Sequence, residues 1–228
     1  MDHVSNMKTV LLSILTLASP FRRVTGSGAV DEPPYLPSIS SISFSGNGCP
    51  QDGSSGRVVN ATGSWSELDL TFHNFTATIP GQGSSSRTSN CEAHISASDA
   101  APGWQVSPGR VSVRGLAVLD PGTSLTLFVT AYWSQNASET ITKEKKYKNA
   151  GADRITALVT DFEELTLWSP CSDSAGYQGI LNVNFRAALT SGTGYNTTLP
   201  SAYFGPVKVN GTETDPVVEM IKFDWRAC

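Results

Sequence analysis

The sequence predicts an all-β protein, an antiparallel β-sandwich or jelly roll of about eight to ten strands held together by two disulfides. Hydrophobic and polar residues alternate with a period of two along most of the chain, and turn sequences rich in glycine, proline and aspartate separate the alternating runs. The chain also contains four cysteines, an even number that is typical of a disulfide-bonded domain from an oxidising compartment.

In each alternating run, the large apolar side chains are expected on one face of a strand. The clearest runs are Leu68, Leu70 and Phe72; Leu125, Leu127, Val129, Ala131 and Trp133; Leu181, Val183, Phe185, Ala187 and Leu189; and Ile221, Phe223 and Trp225. Turn sequences at Ser107–Arg110, Asp120–Gly122 and Ser191–Gly194 separate the strands. Residues 152–165 could be argued as helical, but their β-branched side chains favour a strand.

Residues 1–23 are predicted to be a signal peptide with a leader that proteases could remove. Lys8 precedes a run of nine mainly apolar residues, Val10–Ala18, which fits a secretory signal and is shorter than the roughly 20 residues of a membrane span. Three cleavage sites remain open: after Ala18, after Gly26, or at the dibasic pair of residues 22–23. We therefore expect a secreted, extracellular protein without integral membrane contact.

The remaining chain divides into a linker and one domain. Residues 24–37 are rich in proline and glycine and show no periodicity, so they are expected to form an extended linker. Residues 38–228 are expected to form a single β-sandwich domain, because their number lies within the size range of one such fold.

The charge of the chain argues against a nucleic-acid partner. There are 16 Lys and Arg residues against 20 Asp and Glu residues, a net charge of −4, whereas nucleic-acid binders usually present a basic face to phosphate. The one cationic cluster, Lys143–Lys148, is expected to be a lysine-protected edge strand or hairpin tip. Contact with an anionic glycan or lipid is the alternative.

The cysteines are Cys49, Cys91, Cys171 and Cys228. There is no Cys-x-x-Cys pair, and only two histidines lie beyond the leader, so the sequence predicts neither a metal site nor a cofactor. Four cysteines allow three pairings. Pairing in chain order, Cys49 with Cys91 and Cys171 with Cys228, is favoured because it ties each half of the chain to itself, and each bond would stabilise the fold by roughly 3–4 kcal/mol.

Five N-x-Ser/Thr sequons support the same compartment. They lie at Asn60, Asn74, Asn136, Asn196 and Asn210. Occupied sequons must face solvent, and we expect some of these five to carry a glycan. Asn74 is the most informative, because it interrupts an alternating run and would show which face of the strand looks outward.

Signals for catalysis are weak. The chain has no G-x-S-x-G motif, and His73 and His94 are interpreted as surface residues of strands, since only geometry can identify a catalytic triad. A glycosidase needs two carboxyl groups about 5–9.5 Å apart. Asp161 with Glu163 or Glu164 is the best candidate, although side chains two apart on a strand ordinarily form a solvated stripe.

Tryptophans could bind sugars, because their ring faces can stack on the C–H faces of pyranoses. Trp133 and Trp225 alternate in phase with apolar neighbours, so they are expected in the core. Trp65 and Trp104 lie near turns and are the speculative glycan contacts, although packing is the more common role for so large a side chain.

Several local sequences together resemble a large family of small secreted fungal proteins catalogued as a domain of unknown function. The resemblance rests on the Gly-x-Gly-Cys-Pro turn at Gly46–Pro50, Asn90–Cys91, the Trp-Ser-Pro-Cys of Trp168–Cys171 and the closing Trp-x-x-Cys of Trp225–Cys228. It implies a fungal, extracellular, disulfide-bonded β-protein and carries no catalytic residues with it. The charged segment of residues 143–154 departs from the family pattern.

The leading functional hypothesis is a non-catalytic glycan-binding or effector-like module at the cell wall or host interface, with cell-wall polysaccharide or a host protein as partner. One alternative is a carbohydrate-active enzyme that uses Asp161 with Glu163 or Glu164. The other is a structural cell-wall protein, which the lack of a Ser/Thr-rich stalk or anchor sequence disfavours.

Overall fold

The computed structural model describes residues 32–49, 59–80, 87–192 and 201–228, and it gives residues 59, 60 and 160–163 as backbone alone. The regular secondary structure of the described residues is almost entirely β, as predicted. Their strands are β1 (Ser38–Ser45), β2 (Val59–Gly63), β3 (Glu67–Phe72), β4 (Ala77–Ile79), β5 (Thr88–Ser98), β6 (Trp104–Leu119), β7 (Thr123–Trp133), β8 (Ile141–Lys148), β9 (Ile155–Glu164), β10 (Ile180–Ser191), β11 (Ala202–Gly205), β12 (Val207–Val209), β13 (Thr212–Asp215) and β14 (Val217–Ala227), with a 3₁₀ turn at Ser134–Asn136. Within these ranges, no helix has the length and apolar character needed to cross a membrane.

The described strands outnumber the expected eight to ten because several are very short. Strands β2, β4, β11, β12 and β13 contain only three to five residues each, too few for a period of two to stand out. The stretch 152–165 contains strand β9, which pairs with β6 along its whole length. The preference for a strand there is confirmed.

Two antiparallel sheets make up the domain. One contains five strands in the order β1-β5-β10-β7-β8. The other contains seven, in the order β2-β3-β14-β6-β11-β4, with β9 paired to β6. Strands β12 and β13 form a separate hairpin. Hydrogen-bonded neighbours in both sheets run in opposite directions, so one face of each sheet can be apolar while the other meets water.

The apolar faces of the two sheets pack together and form a sandwich. Phe185 on β10 of the five-stranded sheet stacks on Phe75, with ring centroids 4.7 Å apart, and lies 6.2 Å from Phe204 on β11 of the other sheet. All three side chains are fully buried. Trp133 and Trp225 are also buried, as the alternation predicts.

Trp65 belongs to this core, and its predicted role as a sugar contact is wrong. Its side chain is 0% exposed. The indole stacks on Trp133 across the sandwich, at a centroid distance of 6.5 Å, and packs 4.9 Å from Phe223. Its proximity to a turn suggested exposure, but these contacts with distant parts of the chain enclose it.

Both disulfides join the favoured pairs. Cys49–Cys91 fastens the turn after β1 to strand β5, and Cys171–Cys228 fastens the segment after β9 to the end of β14. The first turn depends on glycine, since a Cβ at Gly48 would collide with the ring of Phe75.

The chain passes from the five-stranded to the seven-stranded sheet between β8 and β9, at a corner centred on Asn149. This side chain is fully buried. Its amide nitrogen donates hydrogen bonds of 2.8 Å to the carbonyls of Leu119 and Asp153, and its oxygen accepts one of 3.0 Å from the amide of Gly151. Strand β8 itself lies at the edge of its sheet with Lys146 and Lys148 exposed, in agreement with the edge-strand interpretation of the lysine cluster.

One carboxyl group lies in the core. Glu219 alternates with Val217 and Ile221 on the inward face of β14 and is 0% exposed. Among the described residues, neither of its carboxyl oxygens has a hydrogen-bond partner. Burial therefore raises the pKa of Glu219 from its ordinary value of 4.5 to about 8, so the carboxyl group is mainly protonated and neutral at pH 7.

Replacing Trp65 by alanine is expected to destabilise the fold by about 3–5 kcal/mol, because it leaves a large cavity between the sheets. Chemical denaturation of the wild type and of Trp65→Ala would measure the difference. Trp104→Ala is the matched control, since that indole is only half-buried, and a smaller loss is expected there. Equal midpoints for the wild type and Trp65→Ala would contradict the burial of Trp65.

Glu219 is expected to make the domain less stable as the pH rises from about 4.5 to about 8. Between about pH 4.5 and pH 8 the folded state holds the proton and the unfolded state does not, so stability falls as pH rises, by about 1.4 kcal/mol per unit at most. Urea denaturation at several pH values would measure the slope. Glu219→Gln should flatten it, whereas Glu164→Gln, a change at an exposed carboxyl, should leave it in place. An unchanged slope in Glu219→Gln would refute the assignment.

Candidate functional site

The outer face of the five-stranded sheet carries a continuous set of polar and aromatic side chains. Antiparallel register aligns them in rows across strands β5, β10, β7 and β8. One row contains His94, Asn182 and Tyr132; the next contains Glu92, Asn184, Thr130 and Thr142; the third contains Asn90, Arg186 and Phe128. We call this surface the outer face.

A depression of about 530 Å³ lies in the outer face, and residues of all three rows line it. Its size falls within the range of about 300–1,000 Å³ that is usual for small-molecule sites. Tyr132 and Phe128 supply aromatic surface, and Glu92, Asn184 and Arg186 supply hydrogen-bonding groups. The depression is thus amphipathic.

Glu92 is the centre of the polar network. Its carboxylate accepts a hydrogen bond of 2.7 Å from the Tyr132 hydroxyl and one of 3.3 Å from the amide of Asn184. The bond to Glu92, together with partial burial, raises the pKa of Tyr132, so the phenol remains the donor. A carboxylate has about four lone-pair sites, which leaves Glu92 able to accept from a further donor.

Arg186 and Phe128 form a flat amphipathic surface beside this network. The guanidinium carbon of Arg186 lies 4.1 Å from the centroid of the Phe128 ring, a cation–π arrangement that holds a long side chain in place. The five N–H donors of a guanidinium lie in the plane of the group. This pair therefore presents both a stacking surface and donors.

The side chain of His94 is fixed from both sides. Asn182 is 3% exposed, and its amide nitrogen donates to Ser134 Oγ at 2.8 Å. Its oxygen must therefore accept from His94 Nδ1, 2.6 Å away, which leaves Nε2 to accept from Ser45 Oγ at 3.3 Å. A hydroxyl, an imidazole and an amide in this order resemble a hydrolytic triad, but Ser45 is exposed on edge strand β1. We interpret the three groups as a network that stiffens the outer face.

The other predicted site residues lie elsewhere. Trp104 is half-buried at the start of β6, where it packs against the core. Asp161 and Glu163 pair with Val113 and Val111 of β6, and their side chains lie outside the described residues. Glu164 is exposed and lies 3.8 Å from Arg110. His73 does not stand alone on the surface, because its Nδ1 lies 2.6 Å from Glu213 Oε1.

The sequons that the structure describes do not line the depression in the outer face. Asn74 is exposed in the bend that separates β3 from β4, so the run it interrupts is two strands. Asn210 is exposed at the tip of the β12–β13 hairpin, and Asn136 is half-buried in the 3₁₀ turn after β7. The backbone of Asn60 lies in β2, and Asn196 lies outside the described residues.

The outer face is hard to predict from the sequence alone. Its residues come from β5, β7, β8 and β10, of which only β7 and β8 are consecutive strands in the chain. Their polar side chains resemble those of any solvated strand. Phe128 and Tyr132, two aromatic residues on the polar side of the β7 alternation, are the one signal that could have been used. Across the described ranges, no three His, Cys, Asp or Glu residues gather closely enough to hold a metal ion.

No curated protein matches the sequence. Among solved structures, the carbohydrate-binding module TmCBM61 in complex with β-1,4-galactotriose matches with 9% identity and a TM-score of 0.25, over 84% of this chain and 91% of that chain. The enzymatically active domain of bacteriophage CBA120 tailspike protein 4 matches with 10% identity and a TM-score of 0.21, over 83% of this chain and 20% of that one. Both TM-scores are too low to establish a common fold.

The family comparison is decisive. Residues 36–228, which include every described strand, match the family described as a domain of unknown function, DUF4360. The match also includes all four cysteines. The chain therefore belongs to the DUF4360 family.

Proposed function

We propose that the protein is a non-catalytic glycan-binding module and that the outer face holds the glycan. The observation that carries this proposal is the depression in which Tyr132 and the Arg186–Phe128 pair adjoin the Glu92 network. Pyranose rings have an apolar C–H face and a rim of hydroxyl groups. A surface that offers ring faces beside fixed donors and acceptors is complementary to both.

Preorganisation supports the same interpretation. Tyr132, Asn184 and Glu92 are already joined by hydrogen bonds, and Arg186 is already held over Phe128. A ligand would therefore need to immobilise few side chains, and each rotamer-rich side chain that is already fixed spares about 0.5–1.5 kcal/mol on binding.

The position of the sequons agrees with this use of the outer face. Asn74 and Asn210 belong to connections of the seven-stranded sheet and the small hairpin, and Asn136 lies beyond the end of β7. Glycans at these positions would leave the depression open. The predicted signal peptide and sequons support a secreted glycoprotein. We propose that it is fungal and meets cell-wall polysaccharide or a host surface.

Retention of the purified protein on chitin, β-glucans, mannan and pectin would test the proposal. We expect the wild type to be retained on at least one polymer. Tyr132→Ala and Arg186→Ala should weaken retention by about tenfold, the equivalent of about one lost hydrogen bond or aromatic contact. Tyr132→Phe removes the hydroxyl alone and should give an intermediate loss without a large cavity.

Two controls locate the site. Lys208→Ala changes an exposed side chain on β12 and should leave retention unchanged. Trp104→Ala tests the remaining tryptophan candidate, and a loss there with none in Tyr132→Ala would move the site to Trp104. No retention on any polymer would overturn the proposal and direct attention to a protein partner. Sugars released during the same incubation would instead favour a catalytic carboxyl pair on β9.

A further inference from the structure

A second depression lies at one end of the sandwich, and one of the sequons lines it. Its volume is about 660 Å³, and its wall includes Asn136, Trp168 and Arg226. We call it the end cleft. It lies between the 3₁₀ turn after β7, the segment that follows β9 and the C-terminal strand β14, so it is separate from the outer face.

We propose that Asn136 carries an N-linked glycan and that the first sugars of this glycan lie in the end cleft against Trp168. The proposal goes beyond glycan binding by the outer face and does not depend on it. It makes the end cleft a binding site for a sugar that is attached to the protein itself.

The side chain of Asn136 is arranged in a way that is compatible with the attached sugar. Its oxygen accepts a hydrogen bond of 2.9 Å from the hydroxyl of Ser138, the third residue of the sequon. Within the described part of the chain, its nitrogen donates no hydrogen bond. Glycosylation replaces a hydrogen on that nitrogen and leaves the oxygen an acceptor, so the contact with Ser138 can persist.

The end cleft offers surfaces that suit a pyranose. The guanidinium of Arg226 lies 4.1 Å above the ring of Trp168, and Gln105 Oε1 accepts a hydrogen bond of 2.9 Å from Arg226 Nε. Gln105 is fixed in turn, since its amide donates to the carbonyl of Ser169 at 2.5 Å. The wall thus combines a held cation, an indole and amide groups, which match the hydroxyl and acetamido substituents of an N-acetylhexosamine.

Because the sugar is attached to Asn136, weak contacts are sufficient to keep it in the end cleft. A ligand on a short tether has an effective concentration in the millimolar range, so a cleft with only millimolar affinity for a free sugar would still be occupied. The volume of the end cleft lies within the range of known ligand sites.

The modification requires a polyprenyl-pyrophosphate-linked oligosaccharide as donor and the oligosaccharyl transferase of the secretory pathway. The Asn136 nitrogen forms a bond to C1 of the first sugar. The bond from C1 to the pyrophosphate oxygen breaks, and the lipid pyrophosphate leaves with its electron pair. The amide proton goes to a base of the transferase.

Glycopeptide mass spectrometry and enzymatic trimming of the folded, secreted protein would test the proposal. We expect Asn136 to be occupied. An endoglycosidase that cleaves between the first two sugars should remove this glycan at least tenfold more slowly than those at Asn74 or Asn210, because these two asparagines are exposed and their glycans extend into solvent. Unfolding the protein before digestion should abolish the difference.

Variants of the end cleft and of the sequon test their two contributions separately. Trp168→Ala should leave Asn136 occupied but allow trimming as fast as at Asn74, whereas Lys208→Ala should preserve the protection. Ser138→Ala should remove the glycan. If Trp168→Ala does not fold, magnetisation transfer between the indole of Trp168 and the first sugar in the wild type decides the point. A secreted protein without sugar at Asn136, or equal trimming rates in the folded wild type, would overturn the proposal.

Discussion

The packing of the five-stranded sheet on the seven-stranded sheet is the constraint on which the other features of the structure depend. Phe185 lies on β10, the central strand of the five-stranded sheet. Its ring packs against those of Phe75 and Phe204, which belong to the opposite layer of the sandwich. Because successive side chains of a strand point to opposite faces, burying one face of each strand leaves the other face in water. The core thereby determines which side chains are available for binding.

Strand register then decides what the water-facing side of the first sheet can do. Glu92, Asn184 and Tyr132 reach one another only because β5, β10 and β7 are paired at one particular offset. A shift of one residue would turn Tyr132 into the core and an apolar neighbour outward. The same register that aligns the phenylalanines inside therefore assembles the polar network outside, and the two cannot vary independently.

Alternation of side-chain character predicts the long strands well and the site poorly. Strands β7, β10 and β14 are long enough for the phase of their apolar residues to show, whereas a three-residue strand such as β4 carries no phase. Alternation also predicts an inward-facing Glu219 between Val217 and Ile221. Buried carboxyl groups are rare, however, so the pattern alone would not lead one to expect Glu219 in the core. The placement of Trp65 and of the outer-face network depends on contacts between parts of the chain that are distant in sequence, which a local pattern does not contain.

Asn149 holds the connection between the two sheets in place. The buried side-chain amide of Asn149 is hydrogen-bonded to Leu119 at the end of β6, to Asp153 just before β9 and to Gly151 in the turn between them. The connection from β8 to β9 is therefore held in one conformation by hydrogen bonds. A charged, glycine-containing segment of this kind would look like a natural place to insert a tag or to expect proteolytic nicking. Residues 150–154 are exposed, but their turn is hydrogen-bonded to the buried side chain of Asn149. Tolerance to insertion follows burial and hydrogen bonding rather than composition. The exposed tip of the β12–β13 hairpin, at Asn210 and Gly211, is the more permissive position for grafting a label or a second domain.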